Sequence, residues 1–123
     1  MSYIDGCVMA VPTANKDKFI QYAEMMDRML MELGALRILE CWGDDVPDGK
    51  RTDFRRAVQA TAEETVVFSW IEWPDKTVRT TAMARIHELM KADPRMDPAK
   101  NPMPLDGARM IFGGFAPVLT LQK

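Results

Sequence analysis

Residues 64–74 read Glu-Thr-Val-Val-Phe-Ser-Trp-Ile-Glu-Trp-Pro, and the stretch is largely apolar at both odd and even positions. Successive strand residues point to opposite faces, so Val66, Phe68 and Trp70 look one way and Val67, Ile71 and Trp73 the other. A strand that shuns water on both sides belongs in the middle of a sheet with a layer over each face. The rest of the chain, or a second copy of it, must supply those layers.

One layer is legible. Residues 3–12 alternate, with Ile4, Gly6, Val8 and Ala10 on one side and Tyr3, Asp5, Cys7 and Met9 on the other, and Pro12 ends this first strand. Asn15 is placed to cap a helix in which Phe19, Ala23, Met26, Leu30 and Leu33 recur at steps of three and four, with Gly34 as its stop. Residues 35–42 read as a second strand that closes at Gly43. Residues 43–63 are the least regular, a Pro47-Asp48-Gly49 turn followed by Phe54, Ala57, Val58 and Ala60 at roughly helical spacing. A turn and a short helix or loop are expected there, either a functional insertion or a tolerated extension.

After the central strand, Val78, Ala82, Ile86 and Leu89 stripe a second long helix that Asp93-Pro94 ends. Residues 95–107, rich in proline, cross the surface as an extended loop. Residues 108–121 read as the last strand, in which Gly113-Gly114 marks a bulge or a close backbone approach. The order strand, helix, strand, strand, helix, strand is that of an α+β ferredoxin-like βαββαβ domain spanning residues 1–123. Right-handed crossovers put both helices on one face of an antiparallel sheet ordered 4-1-3-2. Cys7 and Cys41 then lie about 9 to 10 Å apart across an intervening strand, too far for an unstrained disulfide, and are expected as free buried thiols.

The face opposite the helices stays apolar. Four strands about 4.8 Å apart and about 20 Å long present roughly 400 Å² there, worth on the order of 10 kcal/mol of transfer free energy. A homodimer joined sheet to sheet is the expectation. A net charge of -2 argues against nucleic acid as a partner. No apolar run approaches the roughly 20 residues of a membrane span. With no secretory signal visible, the cytoplasm is the expected address.

Five stretches also resemble a known family: Tyr3-Ile4-Asp5-Gly6; residues 40–47 with Cys41-Trp42-Gly43-Asp44; residues 64–71; Asp93-Pro94-Arg95-Met96; and Arg109-Met110-Ile111-Phe112-Gly113-Gly114-Phe115. In that order they look like the YbaA-like family of small bacterial proteins. The resemblance implies a dimeric alpha-beta barrel. The family is of unknown function, so it carries over no catalytic residues and no cofactor. The wider superfamily holds cofactor-free monooxygenases, haem enzymes, isomerases and ligand-binding modules, which is analogy of fold alone.

The residues themselves offer little assembled chemistry. His87 is the single histidine, and no closely spaced cysteine pair accompanies it, so zinc lacks ligands and no metal is expected. The acidic run Asp44 to Asp48 fails as a calcium loop, because Val46 and Arg55 stand where oxygen ligands belong. Lys50, Arg51, Arg55 and Arg56 form a basic cluster, read as a solvated loop or an anion site. Asp5, Glu40, Ser69 and Arg109 are polar residues on strands otherwise suited to burial, and Glu40 or Asp5 is expected to pair with Arg109. With Phe68, Trp70 and Phe115 they make up the expected pocket. The reading is a homodimeric small-molecule-binding module without a cofactor; the alternative is a cofactor-independent monooxygenase or isomerase acting on an apolar or aromatic substrate.

Overall fold

The computed structural model describes residues 2–123. Four strands, β1 (Tyr3–Pro12), β2 (Arg37–Trp42), β3 (Glu64–Trp73) and β4 (Ile111–Phe115), form one antiparallel sheet in the order β2-β3-β1-β4. The expected order is therefore met, with β3 and β1 at the centre. Two long helices, α1 (Lys16–Glu32) and α3 (Lys76–Ala92), cross one face, and a single turn, α2 (Phe54–Ala57), lies in the insertion between β2 and β3.

Register decides which side chains meet the helices. Tyr3 opposes Trp73, Asp5 opposes Ile71, Cys7 opposes Ser69 and Met9 opposes Val67, so all eight share the helix face. Trp73, fully buried, packs with Met29 and Leu30 of α1 and Ala82 and Ile86 of α3. Met9, Val11 and Val67 pack with Phe19 and Ala23 of α1. The opposite face carries Ile4, Gly6 and Val8 of β1, Phe68 and Trp70 of β3, and Ile111, Gly113 and Phe115 of β4.

That second face is not wholly bare. The insertion folds back over one end, where Val58 is fully buried against Val8, Ala10 and Val66, and the Phe54 ring meets Phe68 edge to face with centroids 6.3 Å apart. Toward the other end Trp70 remains 38% exposed, Ile111 46% and Phe115 61%. The chain thus supplies part of its own second layer and leaves the rest apolar and open.

Three expectations are corrected. Asn15 starts α1 without a side-chain cap; its amide donates instead to the Pro104 carbonyl at 3.2 Å, tying the proline-rich loop to the helix. β2 starts at Arg37 rather than at residue 35, because the Ala35 amide still donates to Leu30 at the helix end. β4 ends at Phe115, opposite Ile4, because β1 runs out at Tyr3 and leaves nothing to pair with. Of the two readings of its glycines, a bulge or a close approach, the second holds: the register is continuous from Val8–Ile111 to Ile4–Phe115, and a Cβ on Gly114 would stand 2.7 Å from Tyr3 Cε2.

Candidate functional site

The expected site residues fall into four places. Phe68, Trp70 and Phe115 line an open trough of about 1000 Å³ on the second face, together with Ile4, Arg37 and Glu72. The Trp70 indole N–H donates to Glu72 at 3.0 Å, which satisfies the one polar atom of that ring. Asp5 lies under α3, where its carboxylate accepts from Trp73 Nε1 at 2.9 Å and from the Arg79 guanidinium at 2.9 and 3.1 Å. Glu40 and Ser69 lie together under α1.

The pairing expected for Arg109 is replaced. Its guanidinium grips Glu64 with two bonds, 2.8 and 2.6 Å, and also donates to the Gln59 carbonyl at 2.7 Å. Glu64 is 8% exposed, and the hydrogen bonds from Arg109, then from the Thr61 backbone, hold its carboxyl down at about 2. Arg109 therefore clamps the turn before β4 to the end of the insertion. Two members of the basic cluster are absorbed likewise: Arg55 donates to the carbonyls of Thr61 and Glu64, and Arg56 to that of Gly49. His87 stands exposed on α3.

The helix face holds one polar row. Glu40 opposes Ser69, which opposes Cys7, so the three side chains run across β2, β3 and β1 at one level beneath α1. Ser69 is 4% exposed, and its hydroxyl donates to Glu40 Oε2. Above the row, α1 presents Lys16, Phe19, Ala23 and Asp27 at steps of three and four, the spacing that puts them on one face. Asp27 meets Glu40 there in a carboxyl–carboxyl hydrogen bond.

These residues line a cavity of about 400 Å³ between α1 and β2, with Phe19, Ile20, Ala23 and Trp42 as its apolar part and Lys16, Glu24, Asp27 and Glu40 as its polar part. The Phe19 and Trp42 rings are tilted by 45° with centroids 6.3 Å apart, and Lys16 Nζ sits 5.4 Å from the Trp42 centroid. Burial, then the bond to and charge of Glu40, push the Asp27 carboxyl up to about 8. Two carboxyls this close share one proton rather than both ionise. Burial, assisted by Glu40, pushes the Cys7 thiol up to about 12, which leaves it protonated and unreactive. Both cysteines are free, but Cys7 is only half-buried and Cys41, on the far face of β2, is exposed, which corrects the expectation of two buried thiols.

Asp27 was not among the residues singled out from the sequence. The signal was nonetheless there: it stands four residues beyond Ala23 on the stripe that begins at Phe19, where the apolar pattern steps aside to Met26. An acid on the packed side of an amphipathic helix calls for a partner, and Glu40 is that partner.

Four antiparallel strands with two helices on one face define a ferredoxin-like α+β protein, and solved structures of that kind superpose on the chain. One is a dimeric ferredoxin-like protein from an uncultured marine organism, 11% identical, TM-score 0.61, covering 98% of each chain. Another is a variant of SnoaB, a cofactor-independent oxygenase from Streptomyces nogalater, 17% identical, TM-score 0.53, covering 99% of this chain and 98% of that one. At these identities the likeness is one of fold. The chain belongs to the family described as protein of unknown function DUF1428, which matches residues 2–107. It is 51% identical over 119 residues to the uncharacterized protein YbaA of Escherichia coli (strain K12), covering 97% of this chain and 98% of the relative, and equally similar to YbaA of Shigella flexneri.

Proposed function

We propose that this protein is a homodimer that binds a small apolar or aromatic molecule, one in each subunit, between α1 and the sheet. The observation that carries the binding reading is the cavity of about 400 Å³ in which an apolar wall meets a few convergent polar groups, the usual make-up of a small-molecule site. Glu40, Asp27 and Lys16 belong to it, and Ser69 donates to Glu40 from beneath.

Phe68, Trp70 and Phe115 then have a different role, as the surface a second copy covers. The open end is part of the roughly 400 Å² that the whole second face projects, and exposed Phe112, Leu119 and Leu121 next to it extend the apolar area toward the roughly 800 Å² per partner of a standard interface. A two-fold contact sets the same patch against itself, so a single apolar face is all it needs. The marine neighbour is described as dimeric, in keeping with this reading. Among the described residues, no helix is long and apolar enough to cross a membrane, and a cytoplasmic setting fits the free thiols.

Native mass spectrometry of the purified protein tests both halves. The expected species is twice 14.0 kDa carrying a discrete adduct of a few hundred daltons. A monomer at micromolar concentration would overturn the dimer. A dimer without adduct, whose tryptophan fluorescence also ignores aromatic carboxylates, would overturn the binding reading and leave the fold untouched.

A further inference from the structure

The acid pair in the α1–β2 cavity supplies more than shape, provided that the cavity takes a small molecule as proposed above. We infer that Asp27 and Glu40 form a proton-transfer site that interconverts the keto and enol forms of an aromatic 2-keto acid, with Lys16 holding the substrate carboxylate at the cavity mouth.

Each part of such a substrate meets a group of the right chemistry. An aromatic ring fits the wall of Phe19 and Trp42, whose rings stand 6.3 Å apart at a 45° tilt. A carboxylate fits the Lys16 ammonium, which lies over Trp42 at the same cavity. The carbonyl and the acidic carbon beside it then lie toward the carboxyl pair; Glu24, the remaining acid on the cavity lining, is turned to Arg28 at 2.6 Å.

The pair is suited to this step because its two members differ. Glu40 Oε2 already accepts the Ser69 hydroxyl, which leaves Oε1 to take a proton. Asp27, buried deeper and bonded to Glu40, keeps the shared proton through neutral pH. One acid and one base therefore stand side by side at the pH where each has its useful form.

The step balances on those two groups alone. Glu40 takes the proton from the carbon next to the carbonyl, and the C–H pair becomes the new C=C bond. The carbonyl π pair moves onto oxygen and takes the proton held by Asp27. The pair begins and ends with one proton, nothing is oxidised or reduced, and the reverse reaction uses the same groups with their roles exchanged.

The titratable and charged groups facing the pair are Cys7 from β1 and Lys16 and Glu24 from α1. Cys7 stays protonated to about 12, so the fall of activity on the alkaline side belongs to the pair. The rate rises as the doubly protonated pair loses its first proton and falls above about 8 as the second leaves.

Phenylpyruvate is the probe, its tautomerisation followed by ultraviolet absorbance and its binding by tryptophan fluorescence. The dimer is expected to speed tautomerisation about 100-fold or more over buffer, with an alkaline limb near pH 8. Asp27→Asn and Glu40→Gln, both isosteric, are expected to lose that acceleration while still quenching fluorescence and melting as the parent does. Lys16→Met is expected to raise KM and spare kcat. Binding of phenylpyruvate without acceleration, or full rate in either carboxyl variant, overturns the proton-transfer site and leaves the binding reading standing. Absence of phenylpyruvate binding overturns the aromatic keto acid as substrate; the adduct seen by mass spectrometry then judges the binding reading separately.

Discussion

Single ionisable side chains hold the distant parts of this chain together. The Glu64–Arg109 clamp joins the end of the insertion to the start of β4 across 45 residues. Its carboxyl, held at about 2 against an ordinary 4.5, gives stability that is fully present above pH 4.5 and is lost as pH falls toward 2. Glu64→Gln is therefore expected to lower the melting temperature at neutral pH, and the gap from the parent should close between pH 4.5 and about 2. Thermal melts across that range check it. Asp5→Ala strands two donors at once, Trp73 Nε1 and the Arg79 guanidinium, and should cost on the order of 2 to 4 kcal/mol in urea unfolding, whereas Asp5→Asn keeps an acceptor and should cost less. That charges on strands need partners was legible in the sequence. Which partners they take was not, because Arg79 and Glu64 reach Asp5 and Arg109 through the helix crossover and the 3₁₀ turn at Gly107–Arg109, geometry that no local pattern encodes.

At the scale of elements, period and punctuation carried most of what could be read. The alternation in β1 assigned its two faces correctly, and the Asp75 side chain accepts from the Val78 amide as a helix start requires. Gly34 ends α1 at φ +116°, a conformation few other residues hold, and a Cβ there would sit 2.7 Å from Val78 Cγ1 of α3. Gly34→Ala should thus destabilise by at least about 1 kcal/mol, from the backbone alone, with more from the displaced Val78; denaturant midpoints at constant slope report it. What the pattern missed were lengths. β4 is five residues, not fourteen, because it starts only after the 3₁₀ turn at Gly107–Arg109 and ends where β1 runs out. The insertion read as irregular since its order comes from Val58 and Phe54 docking on the sheet, contacts that exist only once the fold is formed.

For the whole molecule, the chain covers one face of the sheet with its helices and part of the other with the insertion, and it leaves the rest of that second face apolar and open. Phe68→Asp places a charge amid the remaining apolar area and is expected to turn the proposed dimer into a monomer at micromolar concentration, measured by light scattering after size exclusion, with phenylpyruvate binding kept. The candidate site was half legible: Glu40 and Ser69 were named, but the trough and the cavity were merged, because a sheet apolar on both sides does not announce which side its helices take. Ser69 and its neighbours Phe68 and Trp70 now stand on opposite sides of one strand, the first under the acid pair and the others facing away from it. Such a strand limits how its gene can change. One codon gained or lost within residues 64–73 would exchange every occupant of the two sides at a stroke, so this segment can drift by replacement but not by insertion or deletion, and changes of length in descendants of this gene must accumulate in the surface stretches around residues 44–53 and 97–106.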